Sequence, residues 1–419
     1  MTVHVVQYGE TLWQIANQYQ FPISAIVDVN GLPSADLIIP GLALYIPDET
    51  IIQNRPYFVK AGDTLWQLAE RFNTTIPAIL QANPSINPTN LDSNQILIIP
   101  TLNKPLIASL GFLFPSSSLF TLQNLANSLT YAAIVAYSFT AQGNAYVLLD
   151  DTAVVRECNR LGVIPLLMIR NFTNEDFDAE LAGNVLANPN YRRNLINSLL
   201  RFVNEKKYGG VSLDLEFIPP ARRGEFTTFL NELKTALGPR VLHVNVHAKT
   251  EDLPTNRIVG GYDYQAIGSI ADIVAVMTID YGYPGGPPNP VAPLWWMYQV
   301  VRYAASLIPP QKVQIAFPLY GYDWKVIDNT TTALSVNAAQ NRAISVQTVI
   351  QYDQAAASPF YRYVEGADEH RVWFEDIRSY QEKYDLVELY QLLGVTYWQL
   401  NLPAPQNWAY LTNRFAVKK

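Results

Sequence analysis

Acidic and hydroxyl side chains recur at every second position in the apolar segment 209–217, as Ser212, Asp214 and Glu216. Side chains of a β-strand alternate between its two faces, so these three share one face. Two carboxylates that face an interior are costly unless they are paired, protonated or used in a reaction. Repulsion between two close carboxylates moves their pKa values apart, so one of the two acids can stay protonated near neutral pH. An acid of this kind can protonate a glycosidic leaving group. A buried, hydrogen-bonded structural pair explains the same pattern, and position alone does not decide between them.

Apolar runs that alternate with amphipathic segments must position these acids. The predicted strands are Leu106–Phe114, Tyr131–Tyr137, Val163–Arg170, Gly210–Leu215, Val241–Ala248, Ile273–Met277, Val313–Leu319 and Val395–Leu400. The predicted helices include Thr152–Leu161, Arg192–Asn204, Arg222–Leu237 and Pro293–Leu307. Strands and helices in this order predict the α/β class and a (β/α)8 TIM barrel, with a doubly wound sheet as the alternative. In a barrel, functional residues lie at the carboxyl ends of the strands.

A long interval separates the last two predicted strands, from Tyr322 to Gly394. We interpret it as an elaborated loop or a small insertion after strand seven, followed by a helix over Ile377–Leu392.

The first hundred residues contain a tandem repeat. The heptapeptide that starts at Tyr8 returns 53 residues later at Ala61, and Asn30 returns with the same spacing as Asn83. Each unit is predicted as strand, helix, helix and strand, with Thr11 and Thr64 as helix N-caps. The predicted helices and flanking strands are Val3–Val6, Ile23–Asp28, Ala43–Ile46, Tyr57–Val59, Ile76–Gln81 and Ile96–Ile99. The segment Asp48–Pro56 is predicted to be a polar linker.

Composition narrows the classes of function. The 419 residues carry a net charge of −7, which argues against a general nucleic-acid binder. No apolar run is long enough for a membrane span, and the amino terminus lacks the pattern of a secretory signal. Cys158 is the one cysteine, which excludes an intrachain disulfide. His243 and His247 are predicted to share a strand face, where a zinc pair is improbable.

The repeated units resemble the LysM module, which binds N-acetylglucosamine-containing glycans such as peptidoglycan and chitin. The resemblance covers residues 2–47 and 56–100. It implies a shallow sugar groove between two loops of each unit: 9–11 with 30–32, and 62–64 with 83–85. We expect Trp13 and Trp66 to be core aromatic residues of the first helices.

The segment 209–217 resembles the catalytic strand of the glycoside hydrolase family 18 chitinases, whose signature is DGxDxDxE. Gly210, Asp214 and Glu216 match, whereas Gly209 and Ser212 replace the first two aspartates. The resemblance implies that Glu216 is the acid/base and that Asp214 assists it. It further implies substrate-binding roles for Asp280, Tyr281, Trp398, Asn171 and Tyr320, which follow other predicted strands, and it requires no metal or organic cofactor.

The chain as a whole resembles a narrower group, the spore cortical-fragment-lytic N-acetylglucosaminidases of endospore-forming bacteria. This implies a catalytic barrel over residues 105–419 and cleavage of cortex peptidoglycan fragments during germination. It also implies a location in the spore coat or cortex, after synthesis in the mother cell without a signal peptide. The alternatives are a chitinase that acts on chitin oligomers and a non-catalytic, glycan-binding coat protein.

Overall fold

A computed structural model describes residues 2–47, 53–116, 119–173 and 176–419. Within these ranges, none of the helices combines the length and the apolar character needed to cross a lipid bilayer.

Both repeats fold as strand, helix, helix and strand, and the outer strands of each pair antiparallel. The first unit (residues 2–47) contains β1 Thr2–Val5, α1 Leu12–Tyr19, α2 Ile23–Asn30 and β2 Ala43–Ile46. The second unit (residues 53–101) contains β3 Gln53–Phe58, α3 Leu65–Arg71, α4 Ile76–Ala82 and β4 Ile96–Thr101. The polar linker predicted over Asp48–Pro56 is therefore wrong in its second half, because Gln53–Pro56 belongs to β3. Residues 48–52 lie outside the described ranges.

Capping at the first helices is as predicted. The Thr11 hydroxyl accepts a hydrogen bond from the backbone N–H of Gln14, and the Gln14 side chain accepts one from the backbone N–H of Thr11. Thr64 and Gln67 form the same capping box in the second unit. The core role predicted for the tryptophans is wrong, since Trp13 and Trp66 are 66% and 64% exposed. The buried stripe of α1 is Leu12, Ile15 and Ala16, which follows the i, i+3, i+4 spacing. Trp13 lies one position after the start of that stripe and so about 100° around the helix.

Strands of the remaining chain form a barrel, an insertion and short ribbons. They are β5 Leu106–Leu113, β6 Tyr131–Phe139, β7 Ala145–Val147, β8 Ile164–Arg170, β9 Phe172–Thr173, β10 Asp176–Phe177, β11 Gly210–Asp214, β12 Val241–His247, β13 Ile273–Met277, β14 Val313–Pro318, β15 Tyr320–Lys325, β16 Thr331–Ser335, β17 Gln351–Asp353, β18 Ser358–Glu365, β19 Asp368–Trp373, β20 Gly394–Trp398 and β21 Ala416–Val417.

The barrel consists of eight parallel strands in the order β5, β6, β8, β11, β12, β13, β14 and β20. It closes because β5 pairs with both β6 and β20. Closure confirms the TIM barrel and excludes the doubly wound sheet, which has two free edges. Apolar side chains such as Leu110, Phe112, Leu166 and Met168 fill the interior.

The helices of this part of the chain surround the barrel and bury their apolar faces against it, except the helix over Val336–Ser345, which packs in the insertion. They are α5 Leu119–Leu125, α6 Thr152–Leu161, α7 Ala179–Ala187, α8 Pro189–Lys206, α9 Arg223–Leu237, α10 Tyr264–Ile270, α11 Leu294–Leu307, α12 Val336–Ser345, α13 Ile377–Leu389 and α14 Pro405–Arg414.

An insertion follows the seventh barrel strand, as the long interval in the sequence predicts. It consists of α12 and a five-stranded sheet in the order β16, β15, β19, β18 and β17. The helix predicted after it is α13, which ends three residues earlier than expected.

Candidate active site

The end of β11 places the two acids at the carboxyl end of the barrel. Asp214 is the last residue of this strand, and Glu216 follows in the loop. The strand lies close to its neighbour, because a Cβ on Gly210 would lie 2.1 Å from the carbonyl oxygen of Val241. Glycine at this signature position therefore lets β11 and β12 approach each other.

Asp214 is buried, and its surroundings favour the protonated form. Burial, and then the negative charge of Glu216, raise its pKa well above the usual value, while the Arg170 guanidinium opposes the shift. The side chain of Glu216 is 17% exposed. A buried acid therefore stands beside a second acid that solvent can reach.

Ser212 faces the interior, as the alternation predicts, and replaces an acid of the family signature. Its hydroxyl lies 2.9 Å from Nδ1 of His243, and both residues are buried. Burial lowers the pKa of His243 to about 3, so its imidazole is neutral. A neutral pair thus occupies the place below Asp214 where a typical chitinase carries a second aspartate.

The side chain of Asn171 holds the backbone of Glu216. The Asn171 Oδ1 accepts the backbone N–H of Glu216 at 2.8 Å, and its Nδ2 donates to the carbonyl oxygens of Glu216 and Asp178, both at 2.9 Å. The side chain is fully buried. The Asn171 amide thus positions the backbone of Glu216, and its predicted contact with the substrate stays a prediction.

Arg170 and His247 are site residues that sequence reasoning did not assign. The Arg170 guanidinium is buried and lies 4.5 Å from the ring centre of Phe172. Burial lowers its pKa, while the charges of Asp214 and Glu216 oppose that shift. The His247 Nε2 lies 3.2 Å from Oε2 of Glu216. Both residues end barrel strands that neighbour β11. The sequence could have indicated them, because each is a charged or titratable residue at the end of an apolar run.

Asp280 and Tyr320, which were predicted to bind substrate, contact each other. Asp280 accepts hydroxyl hydrogen bonds from Tyr320 at 2.7 Å and from Tyr322 at 2.8 Å. Burial raises the pKa of Asp280, the two phenol donors oppose the shift, and the charge of Glu216 adds to it. Tyr322 is a further site residue that sequence reasoning missed.

Tyr281 lies at the rim of the barrel. Its ring centre is 5.1 Å from that of Trp295 and 5.4 Å from that of Trp296, both at the start of α11. The side chain is 36% exposed. These contacts give Tyr281 a place in an aromatic group, and its predicted contact with an acetamido group stays a prediction.

Trp398, the last residue of β20, connects two aromatic groups at the carboxyl end of the barrel. Its ring centre lies 5.3 Å from that of Phe112 and 6.0 Å from that of Phe114. It also packs against the cluster that contains Tyr320 and Tyr322. A partly buried indole at the carboxyl end of a barrel strand is a flat surface on which a pyranose ring can stack.

Comparisons with known proteins decide the family. A model of glycosyl hydrolases family 18 matches residues 180–402, and a LysM domain model matches residues 4–47 and 57–100. The chain belongs to glycosyl hydrolase family 18. It is a glycoside hydrolase with tandem LysM domains, and both parts indicate an N-acetylglucosamine-containing glycan as the ligand.

Three relatives share the whole arrangement. The cortical fragment-lytic enzyme of Bacillus subtilis (strain 168) is 34% identical, and the match covers 100% of this chain and 99% of that one. The crystal structure of the Bacillus cereus spore cortex-lytic enzyme SleL is 28% identical with a TM-score of 0.87, over 100% of this chain and 98% of that one. The Bacillus megaterium QM B1551 SleL is 29% identical with a TM-score of 0.83 over the same shares. These relatives indicate a spore-associated role.

Proposed function

We propose that the protein is an N-acetylglucosaminidase that cleaves cortex peptidoglycan fragments during spore germination. The observation that carries this proposal is the acid pair at the end of β11, where a buried Asp214 that favours its protonated form adjoins a solvent-accessible Glu216. The full-length similarity to enzymes named for cortex lysis supports this substrate over other glycans.

The proposed reaction is a substrate-assisted hydrolysis that retains anomeric configuration. Glu216 gives its proton to the glycosidic oxygen as the bond to the anomeric carbon breaks, and the carbonyl oxygen of the substrate's own 2-acetamido group bonds to that carbon. The two acids share one proton, which is favoured on Asp214 in the free site and passes to Glu216 when the substrate binds. The ionised Asp214 then orients the acetamido group and stabilises its positive charge. Glu216 then takes a proton from the water that opens this intermediate. Family 18 is a recognised exception to the scheme with two enzymic carboxylates.

Binding of the reactive sugar is proposed to use the residues around the acids. Asp280, held by Tyr320 and Tyr322, receives the acetamido group, with Tyr281 at the rim. Trp398 supplies a flat surface for the sugar ring. Asn171 fixes the backbone of Glu216, and the pairing of Ser212 with His243 leaves Asp214 without the second aspartate of typical chitinases.

The proposed domains are two glycan-binding modules, residues 2–47 and 56–100, and a catalytic barrel, residues 105–419. Glycan binding in this LysM region keeps the barrel close to an insoluble polymer and so raises its local concentration there. The proposed location is the spore coat or cortex, after synthesis in the mother cell.

A Glu216→Gln variant tests the assignment. We expect it to abolish hydrolysis of purified cortex fragments, measured by mass spectrometry of the products, while binding to the glycan is retained. Glu225→Gln is the matched control, since Glu225 lies in the first turn of α9 and pairs at the surface with Arg222, which precedes that helix. Undiminished turnover by Glu216→Gln would refute the mechanism.

A chitinase and a non-catalytic binder are the competing functions. A chitinase would cleave chitin oligomers and leave cortex fragments intact, whereas the proposed enzyme cleaves the cortex fragments. A non-catalytic coat protein would bind both glycans and cleave neither. The presence of Glu216 favours an enzyme.

A further inference from the structure

We propose that the two LysM units have different roles: the second unit supplies the open sugar groove, and the first unit is a fixed part of the catalytic domain. The inference rests on the proposed glycan-binding role of these modules and adds which of them performs it.

The first unit shares its hydrophobic core with the barrel insertion. Leu12, Ile15 and Ile26 of this unit belong to one buried cluster with Ile344 and Tyr361 of the insertion. The strand β2 is buried on both faces, because its alternate residues contact the main barrel core. The second unit has a separate core of its own. Moving the first unit would therefore expose apolar surface on both partners, which is costly.

The second-helix loop of the first unit, residues 30–32, lies against the catalytic domain. The backbone oxygen of Asn30 accepts from Gln340 at 2.9 Å, and its Oδ1 accepts from Gln406 at 2.8 Å. The backbone oxygen of Gly31 accepts from Asn341 at 3.1 Å. These bonds occupy backbone and side-chain groups on one side of the predicted groove.

Close packing at Gly31 leaves no space for a sugar there. A Cβ on this glycine would lie 2.2 Å from Oδ1 of Asn337 and 2.7 Å from Cγ of Pro405. Leu32, the next residue, is also buried. A pyranose ring is much larger than a methyl group, so it can enter this loop only if the first unit detaches.

The equivalent loop of the second unit, residues 83–85, is open. Asn83 keeps the internal bonds of the fold, since its Nδ2 donates to the carbonyl oxygen of Ile98 at 2.6 Å and its Oδ1 accepts the backbone N–H of Ile98 at 2.8 Å. Pro84 and Ser85 are exposed. The internal scaffold is thus the same in both units, and only the contact with the catalytic domain differs.

The second unit meets the catalytic domain mainly through β3. The carbonyl oxygen of Asn54 accepts from Arg414 at 2.7 Å, and the ring centre of Phe58 lies 5.6 Å from that of Tyr390. This contact leaves loop 83–85 accessible. Of the two predicted LysM grooves, the one in the second unit is therefore open and the one in the first unit is closed, so the LysM pair holds the polymer through the second unit.

Hydrogen–deuterium exchange on the full-length Glu216→Gln chain tests the inference, with a hexamer of N-acetylglucosamine as the probe. We expect ligand to slow exchange in peptides that cover residues 62–65 and 83–86. Peptides that cover residues 30–34 should exchange slowly already without ligand and should not change when it is added. Equal ligand protection of the two units would overturn the inference.

A pair of matched variants in the same background gives a second readout. Ser85→Glu places a charge in the open loop and should weaken retention on insoluble chitin about tenfold, because a sugar must desolvate it. Gln81→Glu adds the same charge at an exposed position of α4 and should leave retention unchanged. Undiminished retention by Ser85→Glu would overturn the inference, whereas the proposed function fails only if the unmodified chain leaves cortex fragments uncut.

Discussion

The Nε2 atom of His247 lies 3.2 Å from Oε2 of Glu216, the residue assigned as acid and base. The imidazole also packs against Phe217, with ring centres 5.2 Å apart. A neighbouring strand thus brings a titratable group to the carboxylate that must both give and receive a proton.

Replacing His247 should lower kcat more than it changes KM. Its Nε2 atom lies 3.2 Å from Oε2 of Glu216, and a carboxyl group that transfers a proton must be held in a fixed position. We expect His247→Ala to lose more kcat than His247→Asn, which keeps a polar group near the Glu216 carboxyl. Equal kcat for both variants and the parent would show that His247 has only a packing role.

Asp214→Asn should lower activity and raise stability at neutral pH. Activity should fall about 10²-fold, because the charge that stabilises the reacting acetamido group is lost. The folded-state pKa of Asp214 is raised, so the stability linked to this group is present below the unfolded pKa and is lost as pH rises through the folded pKa. The variant should therefore have a higher Tm than the parent at pH 7 and a similar Tm near about pH 4.

Thermal scans at the two pH values measure this difference. A variant that is less stable than the parent at pH 7 would mean that the Arg170–Asp214 attraction outweighs the cost of burying the carboxylate.

Tyr320→Phe and Tyr322→Phe should each impair the sugar site. Each variant removes one hydroxyl group that donates to Asp280. Because these donors lower the pKa of Asp280 and burial raises it, the loss of one donor raises this pKa further. A hydrogen bond to a charged group contributes about 1.5–3 kcal/mol, so we expect kcat/KM to fall about tenfold or more. The control is Tyr361→Phe, which removes a buried hydroxyl that bonds to Ala339 in the insertion. If Tyr361→Phe lowers kcat/KM as much as the other two variants when all lose the same stability, then the hydrogen bonds to Asp280 do not explain the lower kcat/KM.

Ser212→Asp, which restores an acid of the family signature, should destabilise this protein. It places a carboxylate in a fully buried site beside a neutral imidazole, at a cost of several kcal/mol unless His243 takes a proton. Ser212→Ala loses only one hydrogen bond, at about 1 kcal/mol. We expect the urea midpoint to fall much further for the aspartate variant. Equal midpoints for the two would mean that His243 becomes fully protonated and compensates.

The barrel and the two small units could be predicted because local pattern determines them. Eight apolar runs marked the barrel strands, and a repeat of 53 residues marked the units. The burial of Trp13 was mispredicted because its apolar side chain suggests a place in the core. Trp13 lies one position after Leu12, however, and therefore on a face of the helix that does not pack. The insertion was located by length alone, and its sheet depends on pairings between distant strands.

The site was predicted where a signature lies within one strand, as for Asp214 and Glu216. Arg170 and His247 were missed as partners of these acids because they lie on β8 and β12, and only barrel closure shows which strand ends adjoin. Tyr322 was missed for a related reason, since the positive φ of Asp280 and the path of β15 together bring its hydroxyl to Asp280.

The core that the first unit shares with the insertion limits how this protein can be divided. A catalytic domain produced without residues 2–47 would expose the apolar sides of α12 and of the insertion sheet to water. Such a fragment would self-associate or bind other exposed apolar surfaces. An exchange of glycan-binding modules between related enzymes could therefore replace the second unit alone, whereas the first would have to be transferred together with the insertion.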